Sequence, residues 1–76
     1  MKTVSHDEEL KTVLAQQFKE LRLKNKLTQS QLADRLGVEK GQVSRIENGR
    51  YNLTLASIDK IAAALGARVS FELQPN

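Results

Sequence analysis

Residues 40–45 read Lys-Gly-Gln-Val-Ser-Arg. Four of these side chains can read base edges. Lys40 and Arg45 suit guanine O6 and N7, Gln42 suits adenine, and Ser44 serves either. Gly41 adds no side chain and lets a backbone come close to a groove. Val43 and Ile46 lie three apart, so a helix here would bury them and turn Lys40, Gln42, Ser44 and Arg45 outward. The acids sit at the two ends, Glu39 and Glu47. A merely solvated helix would usually carry some acid on its outer side as well. The other reading is a short helix in a helical domain that binds no nucleic acid.

Such a helix needs a partner to hold it. Thr28 with Gln31 forms a capping box. Leu32, Ala33 and Leu36 then recur at helical spacing, and Gly37 supplies a left-handed stop. Val38 restarts the apolar pattern. Two short helices, over residues 29–36 and 40–48, joined by a turn that starts with Gly make a helix-turn-helix. Its second helix would enter a major groove. The free N–H groups at Thr28 and Gln29 suit a phosphate. Lys26, Arg50, Tyr51 and Asn52 flank the motif in loops and are phosphate candidates too, or else ordinary solvated residues.

The remaining helices follow from the same signals. Ser5 with Glu8 could cap a first helix whose start is rich in acid, at Asp7, Glu8 and Glu9. Leu10, Val13, Leu14, Phe18 and Leu21 would be its buried face, ending near Lys24 and Asn25. Leu27 anchors the link onward. Asn48 and Gly49 end the third helix, and Leu53 tucks back. Thr54 caps a fourth helix that runs to Leu65, with Gly66 as its stop. Its buried stripe is Leu55, Ile58, Ile61, Ala62 and Leu65. Residues 67–74 then alternate strictly, with Val69, Phe71 and Leu73 on one side, which predicts a half-buried strand ended by Pro75. A short fifth helix is the alternative. A lone strand leaves its backbone unpaired, so it would pair with the same strand of a second copy across a two-fold axis. Val69, Ser70, Phe71 and Leu73 would form that dimer interface. The chain thus divides into a frayed tail (1–5), a helical domain (6–66) and a dimerisation segment (67–76).

Composition narrows the function classes. Seventy-six residues suffice for one domain, marginal alone. No cysteine exists to form a disulfide, a thiolate metal site or a nucleophile. His6 is the one histidine and lies far from the motif, so no nucleophile–base pair, metal site or cofactor site is expected, and an enzyme is not. No apolar run approaches a membrane span or a signal segment, which predicts a cytoplasmic chain. The net charge is +3, yet residues 19–50 carry +4 (eight basic, four acidic) and the remainder −1. A basic stretch that coincides with the motif is the footprint of a phosphate-facing surface.

The chain resembles the Cro/C1-type helix-turn-helix family, the phage-repressor and XRE-like regulators. The likeness rests on Leu27-Thr28-Gln29, Leu32-Ala33, Leu36-Gly37-Val38 and Val43-Ser44-Arg45-Ile46-Glu47-Asn48-Gly49-Arg50. Thr54-Leu55 and residues 58–66 match the family's fourth helix, and the likeness spans residues 14–66. Glu39 departs from it, since the family usually places Ser or Thr there. The tail departs as well, in a way that resembles small antitoxins of HipB type. The resemblance implies an all-α, lambda-repressor-like bundle of four helices with a helix-turn-helix, plus the short C-terminal β-strand pairing across a dimer. It implies base contacts from Gln29, Lys40, Gly41, Gln42, Ser44 and Arg45, with Gln29 also touching phosphate. It also implies a partly buried ion pair between Arg22 and Glu47. The partners would be double-stranded DNA with a palindromic operator and a second copy of the chain. The role would be a repressor, either the antitoxin of a toxin–antitoxin operon that represses its own promoter and binds a toxin, or a stand-alone phage- or plasmid-type repressor. A protein-interaction module that no longer reads DNA is the competing class.

Overall fold

A computed structural model describes residues 6–75. Four helices follow one another: α1 (His6–Lys24), α2 (Gln29–Leu36), α3 (Lys40–Glu47) and α4 (Leu55–Ala64). The capping box expected from Ser5 and the N-terminal tail lie outside the described residues.

Local chemistry sets the boundaries. Thr28 Oγ1 accepts the Gln31 N–H at 3.0 Å, and Gln31 Oε1 accepts the Thr28 N–H at 2.8 Å. Thr54 and Ser57 repeat that reciprocal arrangement at the start of α4. Each such cap stabilises by about 1 kcal/mol. All four helices also end alike, with one residue in the left-handed region and the next N–H reaching back to the last turn. Gly37, Gly49 and Gly66 supply that residue after α2, α3 and α4, at φ near 70°. The closing bonds run from Val38, Arg50 and Ala67 to the carbonyls of Ala33, Arg45 and Ala62. After α1 the position is filled by Lys26, at φ 57°. Leu27 N–H then bonds the Arg22 carbonyl at 3.1 Å. A side chain in this conformation costs about 1 kcal/mol. Asn48 and Leu65, expected as last turns of their helices, are instead the caps of α3 and α4.

The core gathers Phe18, Leu32, Leu36, Ile46, Ile58, Ile61 and Leu65 around Val43, which is fully enclosed. Ala33 and Ala62 are buried among them, small enough for helices to pass closely. α2 packs most extensively on α3, as the short turn between them requires.

Three expectations need correction. Leu10 and Val13 were placed on the buried face of α1, but both are half exposed, because the first turns of the helix project past the core. Leu55 opens α4 and is exposed; the buried stripe starts at Ile58. The expected strand over residues 67–74 does not form, and no strand occurs among the described residues. Neither does the fifth helix. After the Ala67 N–H, the segment makes no backbone hydrogen bond within the described chain, since no other segment offers a strand to pair with. Ala67 and Val69 pack against the core, whereas Phe71 and Leu73 are 69% and 96% exposed.

Candidate nucleic-acid interface

α3 is held from behind. Val43 and Ile46 face the core. At about 100° per residue, Gly41, Arg45 and Asn48 fall on the opposite side, and all three are exposed. Lys40 is exposed on one flank, and neither it nor Arg45 takes part in an ion pair among the described residues. Gln42 lies on the other flank, half-buried, and shares a cleft with Tyr51 between α3 and α4. Ser44 is half-buried; its hydroxyl and its carbonyl both receive the Asn48 amide, at 3.4 and 2.9 Å. The sequence-predicted set is therefore graded. Lys40, Gly41 and Arg45 are presented outright, while Gln42 and Ser44 sit at the edges.

A charged network fixes the far end of α3. Arg22 Nε donates to Glu47 Oε2 at 2.6 Å, and its Nη2 donates to Oε1 at 3.1 Å. The third donor, Nη1, reaches the Leu27 carbonyl at 2.8 Å. Both side chains are almost wholly buried, 9% and 3% exposed. Gln29 Nε2 adds a further bond to Glu47 Oε1 at 3.1 Å. A carboxylate only accepts, so this contact also fixes which end of the Gln29 amide faces inward. One network thus joins the end of α1, the loop after it, the start of α2 and the end of α3.

The flanking candidates lie at the open end of α2 and after α3. Thr28 spends its hydroxyl lone pair on Gln31, so the N–H groups of Gln29 and Ser30 remain at the helix entrance. Lys26 is exposed beside them; Arg50 and Asn52 are exposed beyond α3, and Tyr51 is half-buried. Sequence reasoning missed two internal uses of polar side chains. Arg35 Nη1 donates to the Ala64 carbonyl at 3.0 Å, and Asn25 Nδ2 donates to the Leu65 carbonyl at 3.2 Å. Together they cap the end of α4. Arg22 is therefore engaged inside the fold and Arg35 is tied down at its surface, and the other exposed cations of the basic stretch are Lys19, Lys24, Lys26, Lys40, Arg45 and Arg50. Asn48 was read only as a helix end, although it lies two turns beyond Gly41 on the outward side.

Two short helices at this spacing, the second tethered by a buried Arg–Glu pair, define a helix-turn-helix domain. The chain belongs to the helix-turn-helix family, of the Cro/C1 or XRE-like type: the family model, described as Helix-turn-helix, matches residues 18–71. Among its relatives is the immunity repressor protein of Bacillus phage phi105, 39% identical over 57 residues, 75% of this chain and 40% of the repressor. A Neisseria meningitidis protein named a hypothetical transcription factor is 37% identical over 60 residues, 79% of this chain and 57% of that protein. The chain thus spans about half the length of these curated relatives. Among solved structures, a chain of the HipA-HipB-O2-O3 complex superimposes with a TM-score of 0.72 at 31% identity, covering 99% of both chains. No helix among the described residues is long and apolar enough to cross a membrane.

Proposed function

We propose that this chain is a sequence-specific DNA-binding transcriptional repressor that acts as a homodimer on a palindromic operator, and that it is not an enzyme. The observation that carries the reading is the outward face of α3. Lys40 and Arg45 are exposed there and join no ion pair among the described residues, Gly41 leaves the backbone bare between them, and the opposite face is fixed by the core and by the Arg22–Glu47–Gln29 network. Such a helix enters the major groove, with Lys40, Gln42, Ser44 and Arg45 at base edges and Gly41 allowing close approach. Gln29, Thr28 and Lys26 take a phosphate at the entrance of α2; Arg50, Tyr51 and Asn52 take another beyond α3. Gln29 donates to Glu47 within the chain, so it reaches DNA through its second amide N–H or its carbonyl oxygen.

Two recognition helices about 34 Å apart require two copies. The segment after α4 is the proposed contact, through Val69, Ser70, Phe71 and Leu73. Its free backbone and its exposed Phe71 and Leu73 support this, as do Leu10, Val13 and Leu55 nearby. The test of the DNA reading is a salt titration against random duplex. Several phosphate contacts make affinity fall steeply with salt, whereas a protein-interaction module shows no such slope.

Within that class, the likeness to a HipA–HipB complex chain over 99% of both chains favours an antitoxin role, in which the chain represses its own promoter and binds a toxin. The phage repressor match covers only 40% of that relative. Relief of growth arrest when the chain is co-expressed with the product of an adjoining gene supports this role; the absence of any toxic neighbour leaves the stand-alone repressor.

A further inference from the structure

The chain caps α2 with Thr28 and α4 with Thr54, each in a reciprocal capping box. At α3 it places Glu39 in the same backbone position, φ −75° and ψ 149°, and the Glu39 side chain makes no cap hydrogen bond. That carboxylate is exposed and joins no ion pair among the described residues. It opens the recognition helix, the end that reaches deepest toward base edges. An acid there suits the helix dipole, but it forgoes the cap hydrogen bond and would repel DNA phosphates. No hydrogen bond or ion pair among the described residues holds its side chain. Gly41, two residues on, puts no side chain beside it, and a Cβ there would meet nothing within 4 Å.

We propose that Glu39 is a specificity-determining residue that accepts a hydrogen bond from a cytosine N4 amino group in the major groove. A carboxylate only accepts; the major groove offers it the amino groups of cytosine and adenine, and adenine sets its N7 acceptor beside that donor, so the carboxylate favours cytosine. Thymine offers an O4 acceptor at the same place, so it is rejected by repulsion as well as by loss of a bond. The inference rests on the DNA-binding reading and adds to it a residue and a base.

Duplex selection from a random pool by the intact chain, by Glu39→Gln and by Glu39→Ser tests it. The wild type is expected to select cytosine at one position in each half-site. Replacing that base pair so that thymine stands there lowers wild-type affinity by about 10–100-fold. Glu39→Gln, which keeps the size and adds a donor, reduces that penalty to within about threefold while holding the other positions. Glu39→Ser loses the preference too, yet unfolds at a higher temperature because it restores the cap. The same base preference in all three proteins, or selection of adenine at that position by the wild type, overturns the assignment. If the wild type binds no duplex in a salt-dependent way, the DNA reading falls and this inference with it.

Discussion

Replacing Glu47 with Ala should nearly unfold the chain, although Glu47 lies at the end of a short helix near the surface. The substitution removes both oxygens that hold Arg22, at 2.6 and 3.1 Å, and the partner of the Gln29 amide. Arg22 keeps only the Leu27 carbonyl for a guanidinium that is 9% exposed. Breaking one side of a buried pair costs about 3–5 kcal/mol, because the remaining charge stays desolvated. At about 0.05–0.15 kcal/mol per residue, a 76-residue chain is stable by roughly 4–11 kcal/mol. The loss is therefore a large share of the whole. Urea unfolding followed by far-UV circular dichroism, at fixed protomer concentration, measures it. With a slope of about 1 kcal/mol/M, the midpoint should fall by about 3 M or more. Arg22→Lys should lose less, about 1–2 kcal/mol, since an ammonium cannot make the paired bond yet leaves no carboxylate unpaired. The double variant Arg22→Met/Glu47→Leu should be more stable than either Arg22→Ala or Glu47→Ala, because no buried charge remains. A Glu47→Ala loss below about 1 kcal/mol would refute the reasoning and show the pair to be solvated in practice.

Three further outcomes follow from the backbone and the tail. Gly41→Ala fills open space in a helix, so it should raise stability by about 0.5–1 kcal/mol while weakening operator binding, read by thermal unfolding and by titration. Lys26→Gly relieves a left-handed side chain; it should raise stability by about 0.5–1 kcal/mol and at the same time weaken all duplexes equally, with a salt slope lower by about one unit. Truncation after Gly66 should keep the helical circular dichroism signal yet sediment as a monomer with weaker operator binding; a micromolar dimer would place the contact on α1 or α4 instead.

Helix limits were legible wherever a local signal sets them. Thr28 with Gln31, and the three left-handed glycines, mark their ends in sequence because every partner lies within a few residues. Lys26 gave no such sign, since nothing about a lysine announces a positive φ. Ser57 was overlooked as the reciprocal half of the Thr54 cap because a glutamate or glutamine usually fills that place. Asn25 and Arg35 were illegible for another reason. Their carbonyl partners stand 40 and 29 residues away, so only the folded chain brings them together. Helical spacing did mark which side of α1 is apolar, but not how far the core extends beneath it, and Leu10 and Val13 fell past its edge. Period-two alternation in residues 67–74 reports a preference for extended backbone, but a ladder needs a second strand, and no strand occurs among the described residues.

The central claim is that α3 reads bases, and Arg45 is an exposed cation on its outward side that joins no ion pair among the described residues. The direct measurement is the ratio of operator to random-duplex affinity, at one salt concentration, for the wild type and Arg45→Ala. Loss of one base contact should lower the operator affinity by about 1–3 kcal/mol and change random-duplex affinity little, so the ratio falls by about 5–150-fold. An unchanged ratio would contradict the account, since α3 would then be positioned by the fold without reading the sequence.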